Sequence, residues 1–178
     1  MEDFMRLALS RESCRDYSEK PVEREKLVRC LEAARIAPSA CNSQPWRFTV
    51  VTDPEVLPRL AACVQDAGMN KFASRCPALV VVTEEKANLS AKLGGLVKDQ
   101  QYAQIDVGLA AAHFCLEAAD QGLSTCILGW FSEKRIKDLL ALPERARVRL
   151  VLCVGYAARE GLREKKRKSL EEIVRFIG

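Results

Sequence analysis

Ala37-Pro38-Ser39-Ala40-Cys41-Asn42-Ser43-Gln44-Pro45-Trp46 is the stretch on which the reading of this 178-residue chain turns. Two prolines stiffen it, and each biases the residue before it away from helix. Ser39, Asn42, Ser43 and Gln44 crowd hydrogen-bonding groups together, and Trp46 adds a flat apolar surface with one donor. A helix is expected before it, over residues 23–35, where Leu27, Val28, Leu31 and Ala34 recur at helical spacing. A strand is expected after it, over residues 47–52. A polar helix-to-strand turn around a buried tryptophan accounts for this composition. A ligand-binding loop accounts for it equally, because loops carry both polarity and function.

The flank that bears on this choice is Arg11-Glu12-Ser13-Cys14-Arg15-Asp16-Tyr17. In an extended segment the alternating Arg11, Ser13 and Arg15 point to one side. Two guanidinium forks around one hydroxyl make an anion-binding row. A solvent-facing basic loop would use the same residues. In their order and separation, Arg11-x-Ser13-x-Arg15-x-Tyr17 and Pro38-Ser39-x-x-Asn42-x-Gln44-Pro45-Trp46 resemble the nitroreductase family of FMN enzymes, a resemblance that spans nearly the whole chain. The run from Gly122 through Ser124-Thr125-Cys126-Ile127-Leu128-Gly129 resembles that family's second strong signature. Lys165-x-Arg167 resembles its C-terminal phosphate-binding pair.

The resemblance implies an α+β fold with a central mixed or antiparallel sheet of about four strands flanked by helices. It implies a domain-swapped homodimer in which each C-terminal segment extends the partner's sheet. FMN would bind at the subunit interface. Arg11, Ser13, Lys165 and Arg167 would hold its phosphate. Arg15 would place a cation near flavin N1 and C2=O and tune its reduction potential. Asn70 would pair with the pyrimidine edge, and the backbone N–H groups of Leu128 and Gly129 would face N5 and O4. Ser39 and Asn42 would reach the flavin of the other subunit, with Gln44 supporting their loop. No side chain is assigned a catalytic role. NADH or NADPH would deliver hydride and leave, and a nitroaromatic, quinone or similar acceptor would then enter the same cleft. Dehalogenation, azoline oxidation and flavin fragmentation are alternative chemistries of the family, and flavin binding or redox sensing without efficient turnover is the non-enzymatic alternative.

Composition agrees with a cofactor carrying the chemistry. The length suits one domain over residues 1–178 with a sizeable core. The sequence contains no dinucleotide-binding glycine fingerprint and no P-loop, and its one histidine, His113, follows no nucleophile motif. Eight cysteines stand apart, without any Cys-x-x-Cys, so no metal site is expected. Reduced thiols and an acidic N-terminus without an apolar leader suggest a cytoplasmic protein, and no apolar run is long enough for a membrane span. Net charge is +4. The basic block Arg163, Lys165, Lys166, Arg167 and Lys168 suits a small phosphate or a solvated tail. It has no interleaved aromatics to stack on bases, so no nucleic-acid partner is expected.

The remaining elements read in order. Residues 3–9 form a short helix. Asp53-Pro54 starts another, with Leu57, Leu60, Ala61 and Val64 on one face. Residues 68–76 read as a loop, 79–82 as a buried strand, and 84–98 as a surface connection. Residues 99–121 read as a long helix capped by Gly122. Between 107 and 119 that helix is apolar nearly all round. One small subunit cannot cover so much apolar surface, and monomers rarely expose more than a few hundred Å². A partner subunit is therefore expected on it, and a charge at Ala111 is expected to release partner and flavin together. Ser132 is expected to cap a helix bearing Ile136, Leu139 and Leu140. A strand over 148–154 and a short terminal helix within 169–177 complete the chain.

Overall fold

The alternation within Ala78–Glu84 explains the layering. In a computed structural model, which describes residues 4–85 and 99–178, the side chains of this strand from Ala78 to Thr83 are all buried. Successive residues face opposite sides of a sheet. Ala78, Val80 and Val82 enter one core with Leu27, Cys30, Ala34, Val107 and Phe114. Leu79 and Val81 enter another with Leu60, Val64, Ile136 and Val148. A strand that is apolar on both sides thus requires helices on both faces.

This strand, β2 (Ala78–Glu84), sits inside an antiparallel sheet with β1 (Trp46–Val51), β3 (Ser124–Leu128) and β4 (Arg147–Gly155), in the order β1-β2-β4-β3. Val50 pairs with Val80, Leu79 with Cys153, and Cys126 with Cys153. Among the described residues the one parallel pairing is an isolated bridge from Ser13 to Thr125 at the outer edge of β3. One face of the sheet carries α2 (Arg24–Arg35) and α4 (Tyr102–Asp120), with α1 (Phe4–Ser10) packed on α4. The other carries α3 (Val56–Val64) and α5 (Glu133–Leu139).

Helix ends follow local chemistry in most places. Asp53 Oδ1 accepts the N–H groups of Glu55 and Val56 at 2.9 and 3.0 Å. Gly122, at φ +73°, ends α4 with a Schellman pair, Gly122 N–H to Ala119 O and Leu123 N–H to Ala118 O. Ser132 is different. It stands at the N-cap of α5 but its side chain makes no capping bond; Glu133 Oε1 instead accepts from Val148 N at 2.9 Å and fixes the helix start to β4.

Several expectations are corrected. On α2 the buried face is Leu27, Cys30 and Ala34, while Val28 is 46% exposed, because the helix leans on α4 along the cysteine side. Residues 68–76 are not plain loop: short 3-10 turns occupy Asp66–Gly68 and Lys71–Arg75. Helix α4 begins at Tyr102 rather than residue 99. Ala111, only 1% exposed, packs into the chain's own core, so a charge there would break the subunit rather than a dimer. The outward stripe of α4 is Ile105, Gly108, Leu109 and Ala112. The connection read over 84–98 lies outside the described residues beyond Glu85.

Past Gly155 the chain lies on the surface. Helix α6 (Leu170–Ile173) opens with a capping box between Ser169 and Glu172. Val174 turns back to extended backbone, and Phe176 and Ile177 are 89% and 86% exposed. Among the described residues no helix is long and apolar enough to cross a membrane.

Candidate cofactor site

The loop at residues 39–44 is built on left-handed backbone. Cys41 and Asn42 have φ 51° and Gln44 has φ 47°, a conformation costing non-glycine residues on the order of 1–3 kcal/mol each. Local bonds offset that cost. Ser39 Oγ accepts the Gln44 N–H at 3.0 Å. Gln44 Nε2 donates to Asn42 O and Asn42 Oδ1 at 3.2 and 3.0 Å. Beneath them Asp106, 4% exposed, accepts the Ala40 N–H with both carboxylate oxygens, at 3.1 and 3.2 Å. Sequence reasoning missed Asp106. Its signal was available: a lone carboxylate beside Val107 on an apolar helix must be partnered if buried.

The N-terminal segment is extended chain laid across the sheet edge. Cys14 N–H donates to Thr125 O, Ser18 N–H to Tyr156 O and Ala158 N–H to Asp16 O, each at 2.9 Å. Cys14 and Tyr17 turn inward, leaving Arg15 exposed and Arg11 and Ser13 half-buried. The tail returns to this segment. Arg163 Nε pairs with Glu12 Oε2 at 3.1 Å and its guanidinium also reaches Ser13 O. Lys165 Nζ donates to Arg11 O. Partial desolvation, followed by the Arg11 and Arg167 cations, pushes the Lys165 amine below its ordinary range, and Glu12 only weakly opposes this. The structure therefore brings Lys165 and Arg11 together, while the exposed Arg167 donates to Lys166 O at 2.7 Å.

Asn70, at φ 53°, donates its amide to Val64 O at 3.1 Å and Trp130 O at 2.9 Å. Both amide hydrogens are then engaged, leaving Oδ1 as its outward group. These bonds tie Asn70 to the turn that follows Leu128, which is buried, and Gly129, which is exposed. Trp130 is held in the same turn by Nε1 donating to Asp66 O at 3.1 Å.

Asp106 ties the 39–44 loop to the first turns of α4, whereas the N-terminal segment is fastened to β3 through Cys14 N–H and Thr125 O. A cavity of about 600 Å³ opens at the end of the sheet where β1 and β4 begin and β2 ends, next to Pro45, whose carbonyl accepts the Glu85 N–H at 2.9 Å. It is lined by Arg47, Glu84, Glu85 and Arg147 and by none of the residues singled out from sequence. Its charges are largely internal pairs, Arg47 with Glu85 and Arg147 with Glu133. Among the described residues no cluster could hold a metal ion.

The sequence model of the Nitroreductase family matches residues 8–68 and 62–156. The chain belongs to the nitroreductase family. It is 32% identical over 160 residues to a protein of Archaeoglobus fulgidus provisionally named an NADH dehydrogenase/NAD(P)H nitroreductase, covering 88% of this chain and 86% of that one. The solved FMN-dependent nitroreductase of Clostridium difficile R20291 superposes with a TM-score of 0.77 at 27% identity, over 94% of this chain and 96% of its own. Iodotyrosine deiodinase 1 of Rattus norvegicus is 23% identical over 198 residues, covering 97% of this chain and 69% of its own. This member of the family is thus an oxidoreductase with the α+β fold expected from its motifs.

Proposed function

We propose that this chain is an FMN-dependent NAD(P)H oxidoreductase that reduces nitroaromatics, quinones or a similar small acceptor, acting as a homodimer with FMN at the subunit interface. The observation that carries this reading is the return of the basic tail to the N-terminal segment, where Lys165 Nζ donates to Arg11 O and the neighbouring cations help push the Lys165 amine down. Like charges gathered this way repel, and a phosphate dianion relieves them. FMN, when bound, supplies acceptance of hydride from the reduced nicotinamide and its delivery to the acceptor.

The chain's own residues bind and orient. Arg11, Ser13, Lys165 and Arg167 hold the phosphate, and Arg15 sets a cation beside the pyrimidine. Asn70 Oδ1 accepts at the pyrimidine edge, and the N–H groups of Leu128 and Gly129 donate to N5 and O4. Ser39, Asn42 and Gln44 complete the site from the partner. The outward apolar stripe of α4 supports a site shared between two subunits. The exposed Phe176 and Ile177 support a tail that crosses to the partner's sheet.

The test is direct. Purified protein should be yellow, hold one FMN per chain, and bleach under anaerobic titration with NADH or NADPH. Colourless protein that takes up no added FMN refutes the reading. A second reading, reductive dehalogenation, is favoured by the similarity to iodotyrosine deiodinase across nearly the whole chain. Halide release from a halotyrosine by the reduced protein, without nitroaromatic turnover, would select it.

A further inference from the structure

The turn after β3 sends its large aromatics in opposite directions. Leu128 is buried in the core that holds Leu60 and Val64, and Phe131 packs against it. Trp130, between them, is 55% exposed. Its exposure is not freedom. The indole Nε1 donates to Asp66 O at 3.1 Å, and the same oxygen accepts the Met69 N–H at 3.1 Å. Trp130 O accepts from Asn70 Nδ2 at 2.9 Å, and Ser132 N–H donates to Cys63 O at 3.0 Å. The indole is therefore held at its ring nitrogen and at its own backbone. Met69, 52% exposed, stands beside it because the two share one acceptor.

The loop that grips the indole is strained. Ala67, Gly68 and Asn70 have φ 51°, 76° and 53°, and left-handed backbone at non-glycine residues persists only where the surroundings impose it. Among the described residues no ring or cation stacks on the indole: the ring pair is Phe48 with Phe114, and the cations over a ring lie on Tyr156. A fixed, unstacked indole offers an electron-rich face and has little side-chain freedom left to lose on binding. The Met69 thioether extends that surface with a polarizable, adaptable group.

We propose that Trp130, with Met69 beside it, is the acceptor subsite: a fixed shelf on which a planar, electron-poor ring stacks at the edge of the flavin. This rests on the proposed cofactor site, in which Asn70 and the N–H groups of Leu128 and Gly129 meet the flavin. Trp130 follows Gly129 in the chain and is hydrogen-bonded to Asn70, so its ring borders that site. An electron-poor ring complements the negative face of the indole. A nitroaromatic or a quinone has such a ring, and an acceptor without one gains nothing from the shelf. Trp130 thus selects and positions the acceptor and takes no part in hydride transfer.

The experiment titrates the oxidised, FMN-loaded protein with 4-nitrobenzoate in the absence of reductant and reads Kd by calorimetry and by the change in flavin absorbance. Trp130→Ala should raise Kd about tenfold, the scale of losing one stacked aromatic partner and its buried area. Trp130→Phe, which keeps a ring but not the bond to Asp66, should recover most of that loss. FMN retention, anaerobic reduction by NADH and turnover of ferricyanide, an acceptor without a ring, should stay at the wild-type level. Should Trp130→Ala fail to fold, Trp130→Leu, which keeps apolar bulk without a ring, takes its place against Trp130→Phe. Wild-type affinity for 4-nitrobenzoate in an FMN-loaded variant without the ring, or an equal loss with ferricyanide, would overturn the subsite alone. Wild-type protein that takes up no FMN would overturn the cofactor site and the subsite together.

Discussion

The two halves of the candidate site are held by opposite means. The loop at 39–44 is fixed by bonds spanning a few residues and by one buried carboxylate, Asp106. The cationic half is fixed by contacts between chain ends: Lys165 with Arg11 and Arg163 with Glu12. The first is a strained shape that one folded subunit already holds. The second is a cluster of like charges that gains most when an anion arrives. Perturbing the loop should therefore register first in stability, and perturbing the cations in ligand affinity.

The largest test separates the halves. Ala112 lies on the outward stripe of α4, so Ala112→Glu should change subunit stability by no more than about 0.5 kcal/mol. On the proposed shared site it should nevertheless abolish the dimer and, with it, FMN retention, because a cofactor held by both subunits binds only the assembled state. Sedimentation with absorbance at the flavin band reads both. A variant that stays dimeric and yellow would break the shared-site comparison. Next comes Asp106→Ala, which leaves the Ala40 N–H unpaired and should cost about 3 kcal/mol in denaturant unfolding. An unchanged midpoint would mean the loop holds itself.

Arg167→Ala should act on the other half. FMN affinity should fall by about 1.5–3 kcal/mol, the scale of a charge-assisted hydrogen bond, while the stability of the unliganded protein stays level. The loss should shrink with added salt if the site is exposed. Normal FMN binding would make the basic block a solvated tail.

The smallest effect is in pH. In the proposed site it is protonated Lys165 that would hold the phosphate, and in the free protein its pKa lies below the ordinary 10.5. Bound phosphate raises that pKa again. FMN affinity should be full below the depressed pKa and fall as pH climbs from it toward the value in the complex, with proton uptake on binding in that window. Calorimetry in buffers of different ionisation enthalpy measures it, and Lys165→Ala should erase the step.

Much of the scaffold was legible because its causes are local. The apolar run of β2, the Asp53 cap and the left-handed Gly122 each act within a few residues. The failures have physical reasons too. At α5 a serine in the N-cap position was read as the cap, but Glu133 is held by β4 fifteen residues away in sequence. On α2, Val28 and Cys30 are both apolar, and only the direction of α4 chose between them. How Asn70 is held was not legible either: its donors are engaged by Val64 and Trp130, carbonyls whose positions depend on the packing of two separate turns.

The sequence by itself determined the family, through two motifs in order, and the element types, through periodicity and caps that answer to neighbouring residues. Tertiary structure alone decided which side of α4 faces its own core, placing Ala111 inward and Ala112 outward, because an all-round apolar helix carries no mark of its partner. It also decided that a carboxylate on that helix would anchor a loop encoded some 66 residues earlier, and that a basic tail would close on Arg11. Such contacts depend on how the sheet and its two helix layers bring distant segments together, and no local propensity specifies that.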